Sequence, residues 1–236
     1  MMRSFLRFEV RRALSNPVNL VFLAGFPVLL YLLWTKVLDL ASGPVSMVSM
    51  ATYGAMGGAL FIGGAIALER SGGWLRQLAV TPLPAHGYIV SKLAGGMLAV
   101  LPSVVIVLAA GALLGGVRLP AVTWLVLPLL IWAGVIPFAA LGVAFGYSLK
   151  GQSANIAMMV VYFLLAVLGG LWLPVSRMPG GLRTLAEYSP AYQAGSLGWR
   201  ALDGLAPTGT SVLVLAGWTA LFVLLGVWRY RSAAWR

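Results

Sequence analysis

The sequence predicts an all-α membrane protein, and three observations carry that prediction. Of its 236 residues, 61% are hydrophobic and only 9% charged, with a mean hydropathy of +0.95, far from the usage of a soluble domain. The apolar residues fall into runs of the length a helix needs to cross a hydrocarbon core about 30 Å thick, roughly 20 residues each. The charges collect between those runs. The net charge of +11 would suggest nucleic acid in a soluble chain, but Lys and Arg at the ends of apolar runs serve topology and lipid-headgroup contact, so no nucleic-acid partner is expected. There is no cysteine, which removes disulfides and Cys-ligated metals.

The elements follow in order within a single transmembrane domain, residues 1–236. From Met2 to Leu14, Arg3, Arg7 and Arg11 share one helical stripe, and Leu6, Val10, Ala13 and Leu14 another. Such a helix lies in the interface with its apolar face down. Asn16-Pro17 ends it, and Pro17 to Thr35 is the first span, too long for a signal-peptide core and expected to be retained. Ser46 to Leu68 is the second, with Gly54 and Gly58 at small-xxx-small spacing for close helix contact. Leu93 to Gly116 is the third, with Gly111 and Gly115 at the same spacing and a kink expected at Pro102. Val122 to Gly146 is the fourth, carrying Pro128 and Pro137; Asn155 to Leu173 is the fifth and Ser211 to Trp228 the sixth. A polar turn containing Lys150 joins the fourth and fifth, and a longer segment, Pro174 to Thr210, precedes the sixth.

Counting Lys and Arg on alternate sides of six spans sets the orientation. Eleven fall with the two termini, the loop Glu69 to Lys92 and Lys150; five fall on the other side, at Lys36, Arg118, Arg177, Arg183 and Arg200. Both termini and the 69–92 loop are therefore expected in the cytoplasm of a multi-pass plasma-membrane protein.

No Asp, Glu, Lys, Arg or His lies within the six spans so drawn, although ion-coupled carriers usually place a carboxylate or His there to bind the coupling ion. The only histidine is His86, in the loop, and there is no Gly-x-Ser-x-Gly, so a serine protease or a His/carboxylate metalloenzyme lacks parts. Neither catalytic nor metal-binding residues are expected. No Gly-x-x-x-x-Gly-Lys-[Ser/Thr] loop is present either, so this chain does not cradle a nucleotide in the usual way. If ATP drives it, another polypeptide binds the ATP.

The 69–92 loop is where an outside partner would act. After Gly72-Gly73 a short helix is expected through Val80, ended at Thr81-Pro82 because proline disfavours helix at the residue before it. Trp74, Leu75, Leu78 and Ala79 share one face of it, leaving Arg76 and Gln77 toward the other. That apolar face fits two destinations, the headgroup layer or a groove on a partner protein. In the Pro174 to Thr210 segment, Pro190 separates two helical pieces, Gly180 to Tyr188 and Ala191 to Leu202, and Arg183 and Glu187 stand four apart. Polar residues inside a bundle often line a path, which singles out Ser49, Thr52 and Tyr53 on the second span and Asn155 and Tyr162 on the fifth; bonding between helices is the competing use.

The pattern Glu69-x-x-x-Gly73-x-Leu75-x-x-Leu78-x-x-Thr81-Pro82, followed by Ser91-Lys92, resembles the inner loop of type-2 ATP-binding-cassette exporter permeases. Leu173-Pro174 through Met178-Pro179-Gly-Gly-Leu182-Arg183-x-Leu185 to Ser189-Pro190 resembles that family's outer segment before the last span, and the likeness covers essentially the whole chain. Trp74 stands where the family often has Thr, and Ser71 where a second acidic residue is common, leaving Glu69 as the loop's only carboxylate.

The resemblance implies six spans with an interfacial N-terminal helix, a coupling helix between spans two and three, and a re-entrant helical segment before span six that forms an outer gate with Pro174, Pro179, Leu182, Leu185 and Pro190. It implies that Glu69, Arg70, Gly73, Trp74, Leu75, Arg76, Leu78, Thr81 and Pro82 contact a cytoplasmic ATP-binding subunit present in two copies, which carries the ATP and Mg while this chain binds no cofactor. A second permease copy or a related permease completes the complex in the lipid bilayer. The implied role is export of a hydrophobic or amphiphilic cargo from a bacterial cell, with no enzymatic step on this chain. The rival expectation is a membrane scaffold or sensor component that recruits a signalling partner through the same loop.

Overall fold

A computed structural model of the chain describes residues 21–38, 42–73 and 85–234, and among them there is no strand. Helix α1, Phe26–Leu32, is flanked by π-helical turns at Val21–Gly25 and Leu33–Val37. Helices α2, Gly43–Leu60, and α3, Ile62–Ser71, form one rod bent at Phe61. Helix α4 is Ala85–Leu113. Helices α5, Ala121–Gly134, and α6, Ile136–Ser148, form a second rod that breaks at Val135, just ahead of Pro137. Then come α7, Gln152–Leu168, a 3-10 turn at Val175–Arg177, α8, Gly180–Glu187, α9, Pro190–Leu202, and α10, Gly209–Ala234.

Four of these rods are long and apolar enough to cross a bilayer: Gly43–Ser71, Gly87–Leu113, Ala121–Ser148 and Gly209–Arg231. The apolar helices Leu23–Val37 and Gln152–Leu168, at the places of the expected first and fifth spans, are shorter. Seventeen residues of α-helix rise only about 25 Å. The chain is therefore a multi-pass α-helical membrane protein, with four full-length rods and two short ones among the described residues. The expected interfacial helix, Met2 to Leu14, and the loop helix after Gly73 lie outside the described residues.

Charged residues were expected to mark the span ends, and the helices run past them. The rod Gly43–Ser71 carries Glu69 and Arg70 inside its last turn, and α4 starts a full two turns before Leu93 and so includes Lys92. A charge ends an apolar run by the cost of burying it, and that cost falls when the opposite charge faces it. Prolines behave unequally. Pro102 and Pro128 stay within α4 and α5, whereas the rod breaks beside Pro137.

The rod Gly43–Ser71 is the hub. Its most apolar stretch is 78% buried, against 22% for that of Gly209–Arg231, and it is hydrophobic on every side, as a helix surrounded by helices must be. Glycines let its neighbours approach. A Cβ on Gly63 would run into the Gly142 backbone of α6, and one on Gly142 into the Leu60 carbonyl, so the two rods touch backbone to backbone. Gly54 faces the Leu23 carbonyl of the first helix at 2.5 Å from its would-be Cβ, Gly58 faces Val100 of α4, and Gly64 faces Asn155 of α7. Lipid offers no hydrophobic force between helices, so close van der Waals contact of this kind holds them together. Gly111 on α4 and Gly115 in the turn after it make room for Met47 and Tyr31 in the same way.

This seam makes a contrast testable. Gly63→Val should lower the thermal unfolding transition of the detergent-purified protein by the equivalent of about 3 kcal/mol or more, since overpacking rigid backbone has no cheap relief. Gly217→Ala, in helix α10 with nothing within 4 Å, should leave it unchanged or raise it slightly. Equal behaviour of the two variants would contradict the seam.

Candidate functional site: a clamped loop and a cavity at the opposite end

At one end of the bundle, two consecutive residues of α3 reach in different directions, as a helical step of 100° requires. Glu69 accepts from Lys92 Nζ at 2.6 Å through one carboxylate oxygen and from the Tyr88 hydroxyl at 2.6 Å through the other. The Glu69 and Lys92 side chains are only 10% and 5% exposed, so this is a buried charge pair. Tyr88 and Lys92 are four apart on α4, so they project from one face of it toward the same carboxylate. Arg70 donates to the Gly146 carbonyl of α6 at 2.6 Å and lies over the Tyr147 ring, 4.9 Å from its centre. Tyr147 in turn meets Tyr230 of α10 edge to face at 5.2 Å.

Between α3 and α4 lies the loop expected to contact a partner. Gly72 caps α3, its N–H bonded to the Leu68 carbonyl at 2.9 Å. Gly73 follows at φ 74°, the left-handed conformation that ends helices and that residues with a Cβ resist. Gly73 therefore ends the span helix. Trp74, Leu75, Arg76, Leu78, Thr81 and Pro82 lie outside the described residues.

At the opposite end is a cavity of about 250 Å³. Its walls include Trp34 of the first helix, Ser46 and Ser49 of α2, Trp172 and Pro174, the Arg183–Glu187 pair of α8, and Tyr192 and Trp199 of α9. Trp199 Nε1 donates to Ser49 Oγ at 3.0 Å, and Trp34 Nε1 to the Trp172 carbonyl at 2.8 Å. Arg183 Nε meets Glu187 Oε1 at 2.9 Å, which raises the Arg183 pKa above its ordinary value. Pro179 and Ser189 stand at the starts of α8 and α9, the Ser189 hydroxyl accepting from the Tyr192 N–H at 3.1 Å, and Pro190 opens α9 and is buried. Leu182 and Leu185 face outward.

The polar residues expected on a path divide. Ser49 lines the cavity, and one turn deeper Tyr53 stacks on Tyr162 at 4.4 Å while packing edge-on against Trp172 at 5.5 Å. The Tyr162 hydroxyl donates to the Tyr53 carbonyl at 3.0 Å. These aromatics pack against one another beside the cavity. Thr52 bonds back to the Val48 carbonyl of its own helix at 2.9 Å, and Asn155 packs on Gly64 away from the cavity. Sequence reasoning missed the partners of Glu69 and Arg70. The signal was present in Tyr88 and Lys92, four apart and flanking the loop's only carboxylate, but a backbone acceptor such as Gly146 leaves no mark in a sequence.

A bundle of membrane-length apolar rods around one buried hub defines a polytopic α-helical membrane protein. The family model described as ABC-2 family transporter protein matches residues 37–228. The chain belongs to the ABC-2 family and is a membrane subunit of the permease kind. It is also 30% identical over 224 residues to the Bacillus subtilis (strain 168) protein named "Putative transport permease YvfS", covering 92% of this chain and 91% of that one.

The aromatic layer supplies a test of packing. Tyr162→Phe keeps the stack and removes the one hydrogen bond to the Tyr53 carbonyl, so it should lower stability by about 0.6 to 1 kcal/mol in a thermal melt. A loss several times larger, or none, would show that the hydroxyl is placed differently.

Proposed function

We propose that this chain is the membrane-spanning permease subunit of an ATP-driven exporter, crossing the membrane six times with both termini and the 69–92 loop in the cytoplasm. The observation that carries the reading is the match to ABC-2 transporter proteins across residues 37–228, a range that contains the whole of that loop. A chain without a nucleotide-binding loop of its own needs energy from a partner, and the sequence from Gly73 to Thr81, with Trp74, Leu75 and Leu78 at helical spacing, predicts the kind of apolar face that a cleft on an ATP-binding subunit would take. Two such subunits, each with ATP and Mg, close beneath a pair of permease chains. Closure shifts the bundles from inward- to outward-facing, and a nearly complete switch requires about 5.5 kcal/mol of preference for one state. The aromatic layer at Tyr53, Tyr162 and Trp172 is the closed constriction, and the cavity under α8 and α9 is the outer vestibule behind a gate built from Pro174, Pro179, Leu182, Leu185 and Pro190. Rods whose charges lie only near their ends favour a hydrophobic or amphiphilic cargo.

Co-purification in mild detergent tests the reading. An ATP-binding subunit, encoded by a neighbouring gene and carrying a Gly-x-x-x-x-Gly-Lys-[Ser/Thr] loop, should accompany the wild-type chain, and Leu75→Asp with Leu78→Asp should reduce its recovery at least about tenfold by placing charge in an apolar cleft. Recovery of a kinase in its place, or indifference to the double substitution, would favour the scaffold role.

A further inference from the structure

We infer that Glu69 and Arg70 are positioning residues that lock the helix ends around the 69–92 loop into one body, so that a push on the loop moves α3, α4, α6 and α10 together. This rests on the proposed exporter reading and adds to it the element that carries the motion. The resemblance implied that both residues face the partner subunit. Their side chains instead engage this chain: Glu69 holds α4 through Lys92 and Tyr88, and Arg70 holds α6 at the Gly146 carbonyl and the Tyr147 ring, which leans on Tyr230 of α10.

The physical chemistry makes the clamp stiff. Both members of the Glu69–Lys92 pair are nearly buried, so pulling them apart gives up a charge-assisted contact where little water can replace it. The two carboxylate oxygens are held from two residues one helical turn apart, which fixes the rotation of α3 against α4 as well as their separation. The Arg70 branch begins on the next residue and lies at the end of the seam where Gly63 and Gly142 bring the same two rods into backbone contact; Gly146, one turn beyond Gly142, continues that seam. A loop anchored between two helix ends that cannot separate transmits displacement to both. One anchored between loose ends would dissipate it.

The test uses the permease–ATPase complex with a reporter at the far end. The chain has no cysteine, so Ser46→Cys, in the cavity wall, gives a unique thiol whose labelling rate by N-ethylmaleimide is measured with and without ATP and vanadate. In the parent reporter the trapped nucleotide should change that rate. Lys92→Ala and Arg70→Gln should each abolish most of the nucleotide effect, an attenuation of about tenfold or more, while the ATPase still co-purifies. Lys92→Arg, which keeps the charge, should restore it, as should the exchange Glu69→Lys with Lys92→Glu if that variant elutes as a single species. A simple contact between Glu69 and the ATPase predicts the opposite: Lys92→Ala and Arg70→Gln would leave the effect intact, and Glu69→Ala alone would remove the ATPase. That result, or an effect that survives both Lys92→Ala and Arg70→Gln, overturns the clamp. Absence of a nucleotide effect in the parent reporter would overturn the exporter reading and the clamp with it.

Discussion

The backbone seam between the rods Gly43–Ser71 and Ala121–Ser148 is the constraint on which the rest of the structure depends. Lipid offers helices no hydrophobic reason to associate, so contact distance decides which pairs hold. Where Gly63 meets Gly142 neither rod has a side chain, and van der Waals contact extends along the helices themselves. Once that seam is fixed, the other neighbours of the hub take their places on its remaining faces. Leu23 comes against Gly54, Val100 against Gly58 and Asn155 against Gly64. A helix hydrophobic all round can accept neighbours on all sides, and its small residues decide how closely each one sits.

The two ends of the hub then acquire different characters. One end terminates at Gly73 with a buried charge pair and an arginine bonded across the seam, a stiff arrangement built from charge-assisted contacts. At the other, Ser46 Oγ and Trp172 Nε1 are buried without a hydrogen-bond partner among the described residues, beside a cavity of about 250 Å³ with aromatic walls. One end is held by charge-assisted contacts and the other surrounds a cavity, so the two ends of the hub differ in packing as well as in charge.

Much of this was legible in the sequence for plain reasons. Apolar runs locate helices because length and hydropathy are local properties, and the break at Pro190 between α8 and α9, like the Arg183–Glu187 pair, follows from local geometry. The continuation of the helices past Glu69 and Lys92 was not legible, because the cost of a buried charge depends on a residue 23 positions away. Nor was the bend at Phe61, which has no proline; Phe61 leaves helical geometry at ψ −3° and packs edge-on against Tyr162 at 5.8 Å. Of the polar residues picked as a path, Ser49, Tyr53 and Tyr162 come together, while Thr52 satisfies itself within its own turn. Side-chain polarity was visible in the sequence, but direction around a bent helix was not.

The most direct measurement is thiol crosslinking from a single Leu78→Cys in native membranes, which the cysteine-free sequence permits without background. The account predicts one adduct, formed with a chain that carries a nucleotide-binding loop, and a yield that changes when ATP is trapped with vanadate. A cysteine that reacts with no such chain, or whose adduct is indifferent to nucleotide, would contradict it.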